Sequence, residues 1–295
     1  MNIELKILNL ACIIIFCLSI GACGGNKATT LTTVPPVFST TGAPAGYVLV
    51  WSDEFNTGAM PDQSKWTYDT EANAIGWYNN ELQYYAVGRP ENSRLSDGKL
   101  IITAQKETIN PAPPDYRRPT PQVYTSARLH TRDKASWTYG FYEVRAKMPC
   151  GVGTWPAIWM LGMIGEHPAN GEIDIMEQVG KNPKVIEGTI YTASTGAALG
   201  GSSGSTLVED ACTEFHNYQL TWTKDSLEIG VDNKPYFSYS NPRTGISAWP
   251  FDKPQYLLIN LAIGGDMAGP VDDSIFSRGT PVQMEIDYVR VYQKP

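Results

Sequence analysis

From Tyr47 to the C-terminus the sequence keeps returning to short runs in which apolar and polar residues alternate with a period of two. In "FYEVRAKM", Phe141, Glu143, Arg145 and Lys147 oppose Tyr142, Val144, Ala146 and Met148, and "VQMEIDYVRVY" shows the same period. Successive side chains of a strand point to opposite faces, so such runs read as strands with one face on a core and the other on solvent. Further β-rich runs, among them "YVLVW", "KLIITAQ", "VIEGTIYT", "YQLTWT", "SLEIGVD" and "QYLLINLAI", are separated by turn residues, and long amphipathic helical patterns are absent. Many strands at this spacing predict an all-β fold, an antiparallel two-sheet β-sandwich (jelly roll) with a concave groove, formed as one domain by residues 47–295. Two long loops, "TINPAPPDYRRPTPQV" and "SNPRTGISAWPFDKP", are expected to wall the groove.

The N-terminus has a different character. Lys6 precedes the apolar run "ILNLACIIIFCLSIG", short for a membrane span and the right length for a signal peptide. It ends in "IGAC", which resembles a bacterial lipoprotein processing site. Residues 1–22 are then the signal, Cys23 the lipidated first residue, and residues 23–46, Thr/Pro/Gly-rich with Lys27 as their one charge, a flexible tether. The expected location is the bacterial cell envelope, lipid-anchored; ordinary cleavage nearby is the alternative.

Net charge is -7 and no basic run occurs, which argues against a nucleic-acid partner. Eight Trp and sixteen Tyr are enough to ask whether some rings serve as stacking platforms for sugars. Of the five cysteines, Cys150 and Cys212 remain in the domain, and the sequence leaves open whether they bond. No metal-ligand spacing of Cys or His appears, and His130, His167 and His216 give a histidine-based triad little to draw on.

The densest chemistry lies in "GEIDIMEQVG", Gly171 to Gly180. Strand parity puts Glu172 and Asp174 on one face and Glu177 on the other, unless an extra residue near Met176 resets the register. Like charges in a row gain nothing structurally, so they point to function. Paired carboxyl groups are what glycosidic bond cleavage requires, one at the anomeric carbon and one protonating the departing oxygen.

"GTWPAIWMLG" followed by "GEIDIMEQVG" resembles the catalytic region of glycoside hydrolase family 16, in particular its laminarinase-like β-glucanases with the motif Glu-x-Asp-x-x-Glu. "VWSDEFN", "GWYNNELQYY", "YTSARL", "YGFYEVRAKMP", "PQYLLINLAIGG" and "EIDYVRVYQ" extend the likeness in order across almost the whole domain. The resemblance implies a β-bulge that returns Glu177 to the cleft, with Glu172 as nucleophile, Asp174 as its assisting acid and Glu177 as general acid/base. The charge of Glu172 is the expected reason for Glu177 to hold its proton.

Trp155 and Trp159 match positions lining sugar subsites; by parity they share a face, and the alternative is core packing. Asn80 and Arg128 match groups that hold sugar hydroxyls on the non-reducing side, with Trp77 on the same wall, although Arg128 could pair with a strand acid instead. Tyr191 stands where the family often has His, a departure on the leaving-group side. Catalysis needs no cofactor. A structural calcium is implied at Glu54, the Gly98 carbonyl and Asp287, hard oxygen donors suited to that ion. Together these features predict a monomeric retaining endo-glycosidase acting on β-1,3-glucan or mixed β-1,3/1,4-glucan. The alternatives are another polysaccharide such as a galactan, transglycosylation, or a non-catalytic glucan-binding surface protein.

Overall fold

The computed structural model describes residues 42–108, 122–196 and 200–295. The expected signal peptide, Cys23, most of the tether and most of the first long loop lie outside the described residues. Within them, seventeen strands follow in chain order: β1 (Val48–Asp53), β2 (Thr67–Tyr68), β3 (Gln83–Tyr85), β4 (Ser93–Ser96), β5 (Lys99–Lys106), β6 (Tyr124–Ser126), β7 (Arg128–His130), β8 (Gly140–Lys147), β9 (Thr154–Gly162), β10 (Glu172–Glu177), β11 (Val185–Tyr191), β12 (Ser202–Leu207), β13 (His216–Trp222), β14 (Ser226–Val231), β15 (Lys234–Ser240), β16 (Gln255–Ile263) and β17 (Val282–Gln293). A short helix, α1 (Gly265–Ala268), follows β16.

The strands build two sheets. One has ten strands, ordered β15-β14-β13-β8-β17-β5-β6-β3, with β1 added on β17 and β4 on β5. The other has seven, ordered β12-β11-β10-β9-β16-β7-β2. Pairing is antiparallel throughout except for β3 with β6, which are parallel.

Alternation decides what goes between the sheets. In β8, Tyr142, Val144 and Ala146 join the core cluster, while Glu143, Arg145 and Lys147 take the other face. The seven-stranded sheet contributes Ile158, Met160, Ile173, Ile186, Ile190, Leu257, Ile259 and Leu261 to the same core. Strand β16 is buried along all nine residues, because its outer face is covered as well.

Two expectations need correction. The period of "VQMEIDYVRVY" is not continuous: the register against β8 shifts between Ile286 and Tyr288, so Met284 and Ile286 are followed into the core by Val289 and Val291. The second long loop is in part a piece of the core, with Trp249 and Phe251 buried at 4% and 0% exposure and packed against Tyr239.

Cys150 and Cys212 are bonded, with Cα atoms 5.7 Å apart and a sequence separation of 62. The bond ties the segment between β8 and β9 to the one between β12 and β13, where Met148 N also donates to Ala211 O. Closing a loop of that length stabilises the fold by about 4 kcal/mol on a chain-entropy account. Replacing both cysteines by serine is expected to lower the unfolding free energy by up to that amount. Urea denaturation checks this, and an unchanged midpoint would contradict it.

Candidate active site

The parity question in β10 is resolved by its two neighbours. Against β11, Asp174 pairs with Thr189 and Glu177 with Glu187, three residues of β10 spanning two of β11. Against β9, Asp174 pairs with Trp159, Met176 with Ile158 and Glu177 with Ala157. One extra residue is therefore accommodated as a β-bulge, and Ile175 and Met176 both enter the core. Glu172, Asp174 and Glu177 consequently share the outer face of the seven-stranded sheet.

Two glycines hold the ends of this strand segment. Gly171 has φ +84°, and a Cβ there would lie 2.7 Å from the ring of Phe251 in the long loop. Gly180 approaches Gly151 O so closely that any side chain would collide with backbone. No other residue fits these contacts, and they fix where Glu172 begins and where the chain leaves Glu177.

The bulge places the carboxyl groups in a partly desolvated row. Burial is the main cause that pushes the Asp174 carboxyl well above its ordinary range, followed by the charges of Glu172 and Glu177 and a hydrogen bond to Glu172. Burial and the neighbouring charges thus favour the protonated form of Asp174 beside Glu172. Glu177 is pushed up to about 8, first by burial and then by Glu172, Glu187 and Glu81, while a hydrogen bond from Trp155 works in the opposite direction. Burial, more than the expected charge of Glu172, favours the proton on Glu177.

Trp155 has 6% exposure, and its Nε1 donates to Glu177 Oε1 at 2.9 Å. It meets the acid directly and is not an open stacking platform. Trp159 is half-buried, its Nε1 donating to Asn260 Oδ1 at 2.8 Å. Arg128 lies between two indoles, its guanidinium 4.6 Å from the Trp159 ring and 5.0 Å from that of Trp77. Its charge is met by Asp69, just past β2, with Nε 2.8 Å from Oδ2. Trp77 is buried at 5% exposure, donates to Asn73 and packs on Tyr85, which makes it the backing of this wall. Asn80 is exposed and donates to Asp266 at the rim.

On the other side of the acids, Tyr191 pairs across the strands with Glu172. Burial and the surrounding acids raise its phenol above the ordinary value. Sequence reasoning missed two groups here. Glu187 sits opposite Glu177, and the alternation in "VIEGTIYT" that places Tyr191 would have placed it too. His167 Nε2 lies 2.6 Å from Glu172 Oε2, a contact made by a loop, for which the sequence carries no periodic signal.

Two of the three expected calcium donors, the carboxylates of Glu54 and Asp287, are paired within the protein. Both oxygens of Glu54 accept from Arg290, at 2.9 and 2.8 Å, and Asp287 accepts from Arg145 at 2.6 Å. With each carboxylate met by a guanidinium, the set as placed does not fit a cation. Among the described residues no group of three or more Asp, Glu, His or Cys is arranged to hold a metal. A cavity of about 990 Å³ lined by Arg94, Gln105, Lys106, Asp273 and Phe276 takes no residue from β10 and is separate from the acids.

A β-sandwich that gathers a proton-bearing acid, a second carboxyl group and an indole-lined wall on one sheet face is built as a carbohydrate-cleaving hydrolase. The chain belongs to glycosyl hydrolases family 16, matched over residues 79–290. A β-glucanase of Rhodothermus marinus is 45% identical over 258 residues, 83% of this chain and 85% of the relative. The laminarinase structure from the same organism superposes with a TM-score of 0.76 at 45% identity, over 84% of this chain and 97% of that one. A mutant of SCLam, a non-specific endo-β-1,3(4)-glucanase of the family, superposes with a TM-score of 0.80 at 48% identity, over 85% of this chain and 96% of that one. That structure presents 1,3-β-D-cellobiosyl-glucose at its active site.

The indole hydrogen bond makes a signed prediction. It favours the ionised form of Glu177, so Trp155→Phe should raise the proton affinity of the acid and move the alkaline limb of kcat/KM upward by roughly one pH unit or less. A limb that stays in place or moves down would contradict the role given to Trp155.

Proposed function

We propose that this chain is a retaining endo-β-1,3(4)-glucanase of laminarinase type. The observation that carries the reading is the bulge in β10, which puts Glu172, Asp174 and Glu177 on one face with Glu177 pushed up to about 8. A general acid must hold its proton at working pH, and the burial of Glu177 favours that form.

In the first step Glu172 attacks the anomeric carbon while Glu177 gives its proton to the glycosidic oxygen, which leaves with the reducing-end fragment. In the second, Glu177 takes a proton from water, the resulting hydroxide attacks the same carbon, and Glu172 departs as a carboxylate. Asp174 supports Glu172 in both steps, donating to it in the resting enzyme and when it is expelled. Esterifying Glu172 removes one of the charges that hold the proton on Glu177, so the same residue becomes a better base after the first step. Burial persists, which limits that change.

Polymer hydrolysis tests the reading. Laminarin and mixed-linkage glucan should yield oligosaccharides with viscosity falling ahead of reducing-end release, and agarose should not. Glu172→Gln should abolish cleavage, and Glu177→Gln should slow it by roughly 10²–10⁴-fold. Binding of all these glucans with no products from the wild type would leave a glucan-binding protein instead.

The lipoprotein reading rests on "IGAC" and the tether that follows it. Cys23 carries the lipid in this proposal and holds the enzyme at the cell envelope. Among the described residues no helix is long and apolar enough to cross a membrane. Cys23→Ala should move the protein from the membrane fraction to the soluble one, and continued sedimentation with membranes would refute the anchor.

A further inference from the structure

We propose that His167 is a positioning residue for the nucleophile, one that pairs with Glu172 from the loop between β9 and β10 and sets a positive charge beside it. The inference rests on the glucanase reading for its kinetic consequence and on geometry alone for the pairing.

The ring is placed by a closed loop. On either side of His167, Glu166 O accepts from Asn170 N at 3.0 Å and Pro168 O accepts from Gly171 N at 3.1 Å. Asn170 is tied in turn to β9 through Gly162 O and to β16 through Gln255. The imidazole packs edge-on against Tyr191, with ring centroids 6.1 Å apart, and its Nε2 meets Glu172 Oε2 at 2.6 Å. The titratable groups facing it are Glu172 on β10 and Tyr191 on β11, with Asp174 behind Glu172 on the same face; Glu166 of its own loop is exposed. The hydrogen bond to Glu172 raises the imidazole above its ordinary value, and because the ring is exposed, with 41% of its side chain accessible, solvent screens the pair.

Glu172 is thereby held from two directions, by the proton of Asp174 along its own strand and by the imidazole from the loop. An imidazolium beside a carboxylate favours the ionised form, which is the form that attacks. In the second step Glu172 is the leaving group, and the same cation stabilises the negative charge it regains. Once the ester forms, the imidazole loses its counter-charge and with it the reason for its raised proton affinity.

Two measurements on the full-length chain test this. NMR titration of the three histidine rings, with His167 assigned through His167→Gln, should show its midpoint falling by about one pH unit in Glu172→Gln. In kcat/KM profiles on laminarin, His167→Ala should move the acid limb upward by roughly half a unit to one unit and lower kcat several-fold with little change in KM. His167→Gln keeps a donor without the charge, so it should recover much of kcat while the limb stays displaced. An acid limb unmoved in both variants, or a His167 midpoint indifferent to Glu172→Gln, would overturn the proposal. A wild-type chain that cleaves no glucan would overturn the glucanase reading alone, because the histidine titration decides the pairing without substrate.

Discussion

The chemistry of this molecule depends on one unpaired residue. Without the bulge between Asp174 and Glu177, the period of two would send Glu177 into an apolar core, where a carboxyl group has no partner and a large desolvation penalty. With it, Ile175 and Met176 both fill the core, and the acid reaches the face that its partners already occupy. The surrounding structure is arranged to keep that register. Nine residue pairs join β9 to β16, β16 is buried throughout, and glycines close both ends of the acid segment where any side chain would collide.

Such a row is electrostatically unfavourable, and its neighbours show how it is tolerated. Glu177 faces Glu187 directly across the strands, a like-charged pair that ordinary sheets avoid. Two of the carboxyl groups relieve the repulsion by holding protons, and Trp155 and His167 contribute donors at opposite ends of the row. The same burial that makes the site costly to build makes its acid competent, so destabilisation and function have one physical origin.

What could be read from the sequence follows from the range of the interactions involved. The core faces of β8 and the existence of the sandwich were legible because alternation is local, and the three acids because their spacing matched a known motif. Parity alone could not decide Glu177, and it misjudged β17, because a bulge is recorded in the pairing of strands and leaves no mark on the period itself. The partners of Arg128, Glu54 and Asp287 lie far away in sequence: Asp69 for the first, and Arg290 and Arg145 for the others. Three residues assigned to ligands thus turned out to have protein partners. Trp77 and Trp155 are buried near the acids, and their burial, which only packing determines, brings them onto Asn73, Tyr85 and Glu177.

The two flanks of the acid row are built from different materials. On the β7 and β9 side, Trp159, Arg128 and Trp77 are stacked and tied to Asp69, Asn260 and Asn73 before any sugar arrives. On the β11 and β12 side, beyond Tyr191, the outer face continues through Thr189 to Ser203 and Ser205, short hydroxyl side chains on an edge strand. A rigid, preorganised wall gives affinity at small entropic cost, whereas small exposed hydroxyls compete with water for every contact. Under the proposed mechanism the ester to Glu172 decides which fragment leaves first, and a serine-lined flank would add little to hold a fragment that is no longer bonded, which clears a path for water.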